Sequence, residues 1–83
     1  MITNVYTIFD SKAQCYNNPF YMINDAIALR TVQGMKDGDS DIARNPQDFT
    51  LWHMGSYDDS NGVFELRSTP KVIAKCHELF QEK

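Results

Sequence analysis

Four side chains in this sequence could ligate a metal or act as a nucleophile with its base: Cys15, Cys76, His53 and His77. Their spacing argues against both roles. Structural zinc sites pair ligands two to four residues apart, and the only neighbours here, Cys76 and His77, are adjacent. On a helix such neighbours point about 100° apart. Cys76 also shares an apolar stripe with Val72, Ile73, Leu79 and Phe80, so it reads as a core thiol. No signature of a catalytic cysteine surrounds either thiol. The carboxylate pairs Asp39/Asp41 and Asp58/Asp59 fall in polar connections. Nothing there buries a carboxyl enough to raise its pKa for acid catalysis. There is no phosphate-cradling glycine loop. The expectation is a protein that is not an enzyme, with no catalytic residue, no metal and no cofactor.

Charge is more informative in its distribution than in its total of −3. From Asp37 to Asp59 there are six acids and one base, Arg44, a balance of −5. From Arg67 to His77 there are three bases, Arg67, Lys71 and Lys75, and no acid. Read on a helix, Lys71 and Lys75 share a face. They stand where the dipole is already positive, opposite to the usual preference. The cost is a few tenths of a kcal/mol per charge, and the gain is a concentrated positive spot suited to a phosphate or an acidic protein surface. The plain alternative is a solvated helix face. Arg30 and Lys36 are further, scattered cations. Trp52, with Tyr6, Tyr16, Tyr21 or Tyr57, could stack bases; equally, a tryptophan is usually core or packed against a partner. The candidate nucleic-acid set is therefore Arg67, Lys71, Lys75, Arg30, Lys36 and Trp52.

The elements that must position these residues are set by pattern. Ile2 to Phe9 is β-branched and aromatic, as a strand prefers. Asp10 to Gln14 is a polar break that could close a hairpin. Cys15 to Tyr21 holds Asn17, Asn18 and Pro19, so any strand there is short, irregular or at an edge. Asn24 caps a first helix with Asp25 in its first turn. Ala28, Leu29, Val32 and Met35 form its buried face, and Gly38 is a plausible stop in a left-handed conformation. Asp37 to Asp48 is an acidic connection in which Ile42 and Ala43 could form one helical turn. Phe49 to Tyr57 is a third strand, with Phe49, Leu51, His53, Gly55 and Tyr57 on one face and Thr50, Trp52, Met54 and Ser56 on the other. Asn61-Gly62 supplies the positive φ angles of a tight turn, and Val63 to Leu66 returns. Thr69 and Pro70 open a final amphipathic helix over residues 69–82, closed by Glu78 and Glu82.

The fold expected is α+β, an antiparallel sheet of about four strands in the order β-β-α-β-β-α with helices on one face. The 83 residues form one domain. A chain of this size buries only about 60–65 % of its unfolded surface, so association into a homodimer or higher oligomer is a natural way to bury more. Two distant cysteines suggest reduced thiols and a cytoplasmic setting. Neither a signal peptide nor a membrane span is visible.

Several ordered segments resemble the small non-structural protein of gokushoviruses, single-stranded DNA phages of the Microviridae. They are VYTIFDSKAQCYNNPF (Val5 to Phe20), AIALR (Ala26 to Arg30), the acidic stretch, and the block from Asn45 to Asp58 with the glycine hairpin after it. The likeness covers roughly residues 3 to 66 and not the final helix. It implies an early, non-capsid accessory role in viral single-stranded DNA synthesis or packaging, in the cytoplasm of the bacterial host. The partner would be single-stranded DNA or a phage replication protein. The alternative is a protein-interaction module that docks a viral or host protein without touching nucleic acid.

Overall fold

The computed structural model describes residues 1–81. The sheet has five strands: β1 (Ile2–Asp10), β2 (Cys15–Tyr16), β3 (Phe20–Met22), β4 (Phe49–Asp58) and β5 (Val63–Lys75). The helices are α1 (Asp25–Gln33), α2 (Asp41–Arg44) and α3 (Cys76–Phe80). All pairings are antiparallel, in the order β2-β1-β4-β5 with β3 also on β1. β2 and β3 are two pieces of one lane, broken at Asn17–Pro19, where proline cannot donate to a ladder. The architecture is the expected α+β sheet with helices on one face.

Local signals work where they are local. Asn24 sits in extended backbone and its side chain accepts the Ile27 N–H, which starts α1. Ser40 does the same for α2 through the Ala43 N–H. α1 ends in a 3-10 turn, Gly34–Asp37, and Gly38 is extended (φ −84°, ψ 176°) rather than left-handed. In the β4–β5 turn Gly62 has φ +74°, and Gln14 of the β1–β2 turn is the only non-glycine with positive φ among the described residues. Asn61 therefore does not need the mirror-image geometry expected of it. The longer loop Asp59–Gly62 is closed by the Gly62 N–H donating to the Asp58 carbonyl at 2.8 Å.

The core lies between the sheet and the helices. Tyr6, Ile8, Phe49 and Leu51 of the sheet meet Ala28 and Val32 of α1 and Cys76 and Leu79 of α3. The largest fully buried side chain, Tyr6, spans this layer, and its hydroxyl donates to Asp25 Oδ1 at 2.6 Å. Strand β1 is thereby tied to the first turn of α1. Burial, then the Asp25 carboxylate, pushes the Tyr6 phenol well above its ordinary value. Tyr6 is thus not available as a stacking surface.

The C-terminal third departs from expectation. The return strand does not stop at Leu66, and no helix starts at Thr69. β5 runs on through Pro70 to Lys75, and α3 begins only at Cys76, with Lys75 at its cap position. Glu82 lies outside the described residues. The reason is pairing. β4 is ten residues long and offers a ladder to Val72, Ala74 and Lys75, opposite Trp52, Leu51 and Thr50. β-branched Val72 and Ile73 suit a pleated sheet at least as well as a helix. As an edge strand, β5 tolerates Pro70.

Two irregularities reset the faces. Between His53 and Gly55 the register of β4 shifts against both neighbours. His53 pairs with Tyr6 on the helix side, Gly55 pairs with Val5, and Tyr57 pairs with Thr3. Gly55 and Tyr57 therefore face away from the helices, not with Leu51 and His53 as strict alternation predicts. Opposite this shift, β5 steps from Leu66 to Lys71, so Arg67–Pro70 leave the ladder as an excursion. A second shift leaves Ile73 unmatched between Val72 and Ala74.

Candidate nucleic-acid interface

The excursion of β5 brings Arg67 and Lys71 to an open cleft of about 540 Å³ on the helix side of the sheet. Asn4 of β1, His53 of β4 and Asn24, Asp25 and Ala26 of α1 complete it. Each is positioned by a distinct device. Lys71 pairs across with His53. The Arg67 Nε–H donates to the Thr69 carbonyl at 3.2 Å, within its own excursion. The Asn4 side-chain NH₂ donates to the Ile23 carbonyl at 2.8 Å, and its Oδ1 lies 3.0 Å from His53 Nε2. With the Asn4 donor committed to Ile23, Asn4 Oδ1 accepts and the proton in the His53–Asn4 bond comes from Nε2. The His53 ring packs edge-on against Tyr6, with centroids 5.3 Å apart.

Electrostatically the cleft is cationic. Among the described residues neither Arg67 nor Lys71 makes an ion pair; the acids that do are Asp39 and Asp41 with Arg44, and Asp58 and Asp59 with the amino group of Met1. Both cations are exposed. Asp25 is the one carboxylate of the cleft, and it already accepts from Tyr6. The N-terminal turn of α1 adds the positive end of its dipole. Two cations against one committed carboxylate can hold an anion such as a phosphate.

The remaining predicted residues lie elsewhere. Lys75 pairs with Thr50, and the unmatched Ile73 puts it on the sheet face away from the helices. Arg30 is exposed on α1 and Lys36 is exposed in the 3-10 turn after it; neither lines the cleft. Trp52 pairs with Thr7 and Val72 on the far face, half-buried, and its indole N–H finds no hydrogen-bond partner among the described residues. The helix-mouth cluster of Arg67, Lys71 and Lys75 is therefore replaced by a pair at the two ends of a strand excursion, Arg67 opening it and Lys71 at the first paired position after it. Asn4, His53, Asn24 and Asp25 were not anticipated as site residues. The signals present were the Asn24 cap and the placing of His53 with Leu51 on one strand face.

The thiols do not contribute. Cys76 is fully buried and burial pushes its thiol up to about 11, while Cys15 is exposed on β2. No group of three or more metal-ligating side chains comes together among the described residues. No helix among them is long and apolar enough to cross a membrane.

The family model described as "Phage ORF5 protein" matches residues 3–79, nearly the whole chain, so the chain belongs to that family and is a bacteriophage protein. The match extends beyond residue 66, through β5 and into α3, further than the resemblance carried by the sequence motifs. No curated protein and no solved structure matches the chain.

Proposed function

We propose that this phage protein is a non-enzymatic accessory factor in viral single-stranded DNA synthesis or genome packaging, acting in the host cytoplasm by holding a DNA backbone segment in the Arg67–Lys71 cleft. The observation that carries the reading is the convergence of these two cations, free of ion pairs among the described residues, beside the start of α1. The gokushovirus likeness supplies the life-cycle stage. Phosphate contact gives position without sequence preference, which suits a factor that coats or guides a genome. An acidic segment of a viral or host replication protein would use the same pair, and this second reading needs fewer cations than a DNA backbone, whose binding phosphate contacts dominate.

The test is fluorescence anisotropy with a labelled single-stranded oligonucleotide across salt. Two neutralised phosphates give a log–log slope of about −1.4, or about a sevenfold loss of affinity between 50 and 200 mM salt. Arg67→Ala or Lys71→Ala halves the slope, and the double variant abolishes binding. Absent binding, salt-insensitive binding, or full binding by the double variant overturns direct DNA contact. Capture of a replication protein by the wild type but not the double variant, without nucleic acid, then selects the second reading.

A further inference from the structure

The face of the sheet away from the helices is not covered by any element of the chain among the described residues. Val5 and Thr7 are buried at its centre, but their surroundings are open: Tyr21 is 43 % exposed, Phe64 50 % and Leu66 67 %. Tyr21, Tyr57 and Phe64 pack on one another, with ring centroids 4.6–6.5 Å apart. Beside them a hollow of about 440 Å³ reaches Pro19 and Met54. Exposed apolar surface of this extent, rich in aromatics and methionine, has the composition of an interface centre.

The charges say what covers it. By strand register the face carries one charged side chain, Lys75, at one corner. The acids project from the helix layer, the loops or the helix side of the strands, as Asp25, Asp41, Asp48 and Glu65 do. A nucleic acid laid here would find a single cation for its phosphates, too few for a class of binding dominated by phosphate contacts. A second copy meets no such deficit. Its matching face is equally uncharged, and sheet-on-sheet packing sets the two sheets about 10 Å apart. That keeps the acidic outer layers of the two copies well beyond the Debye length of about 8 Å. The area is also sufficient. Three lanes about 4.8 Å wide and about 30 Å long, with the shorter β2–β3 lane beside them, present about 500 Å² per copy in projection. Two such faces bury about 1,000 Å², the size a biological interface must reach.

We propose that two copies of this chain pack through this face, sheet against sheet, around Tyr21, Phe64 and Leu66. The dimer is independent of the cleft, which it leaves outward on both copies.

Sedimentation equilibrium from micromolar to hundreds of micromolar protein tests it. The expected mass is twice 9.6 kDa. Phe64→Lys or Leu66→Lys, at exposed positions, raises the dimer dissociation constant at least tenfold with an unchanged circular dichroism spectrum. Glu65→Lys, its neighbour on the opposite face, leaves it unchanged. Arg67→Ala/Lys71→Ala also leaves the mass unchanged, so loss of DNA binding and loss of dimer are separable. Trp52, the single tryptophan, lies on this face, so acrylamide quenching of the wild type falls as concentration rises. This second readout needs no variant. A monomeric mass at all concentrations, quenching independent of concentration, a dimer that survives Phe64→Lys and Leu66→Lys, or doubling only on adding an oligonucleotide would each overturn the proposal. The last outcome selects base stacking on these aromatics.

Discussion

Of the four glycines, Gly55 is the one where an added Cβ meets backbone closer than 3.0 Å, so Gly55→Ala is expected to be severe. Gly55 is buried, has φ +156° and pairs with Leu66 of β5. A Cβ there would sit 2.7 Å from Leu66 Cα, with the Glu65 carbonyl oxygen nearer still. Comfortable carbon contacts are about 3.5–4.0 Å, so one strand must retreat by about 1 Å. The obstacle is backbone, and no rotamer change relieves it. Retreat by that amount takes a ladder bond of about 2.9 Å out of hydrogen-bonding range, at a net cost of about 1 kcal/mol for each bond lost. Overpacking adds about 1–3 kcal/mol, and the positive φ adds about 1 kcal/mol. The expected loss is about 3–5 kcal/mol, a large part of the 5–15 kcal/mol typical of a domain. Even the lower figure moves the melting midpoint by about 12–24 °C at this chain length. Urea titration followed by circular dichroism and by Trp52 emission measures it. A loss below about 1 kcal/mol with an unchanged denaturant slope would refute the close approach, and with it the geometry in which Arg67–Pro70 leave the ladder between Leu66 and Lys71.

Two further outcomes rest on single contacts. Asn24→Ala removes the side-chain acceptor of the Ile27 N–H and lowers stability by about 1 kcal/mol in urea titration; Asn24→Asp retains it. Cys76 has its thiol raised by burial from 9.0 to about 11. Its contribution to stability is complete below pH 9, where the unfolded thiol is also protonated, and is lost as pH rises from 9 to 11. Comparison of wild type with Cys76→Ala by urea titration isolates that decline from the one due to Tyr6; a wild-type curve parallel to the variant across this window would contradict it.

Much of the fold was written in short-range chemistry. The Asn24 cap, the interruption at Asn17–Pro19, the positive φ of Gly62 and the helical turn around Ile42 and Ala43 each depend on a few adjacent residues. Residues 67–75 were not legible for a physical reason. Val72, Ile73, Cys76, Leu79 and Phe80 satisfy a helical stripe, but the ladder offered by β4 is a long-range partner, and it decided the conformation. The register shifts at Met54 and Ile73 were likewise invisible, and each turns over the strand beyond it: Tyr57 changes face, and Lys75 parts from Lys71. The cleft was half legible. Arg67 and Lys71 stood out by charge, whereas Asn4, His53 and Asp25 join them only once three separate segments converge.

The excursion at Arg67–Pro70 also shapes how the rim of the molecule behaves towards its neighbours. Thirteen residues of unbroken, outward-facing backbone with Val63, Leu66 and Val72 exposed would be a template for runaway strand addition and fibre growth. Instead the rim is cut into two short rails with a proline between them and a lysine on the far side. The same four residues that gather the cations interrupt that template, so a variant trimmed of this detour is expected to form fibres more readily.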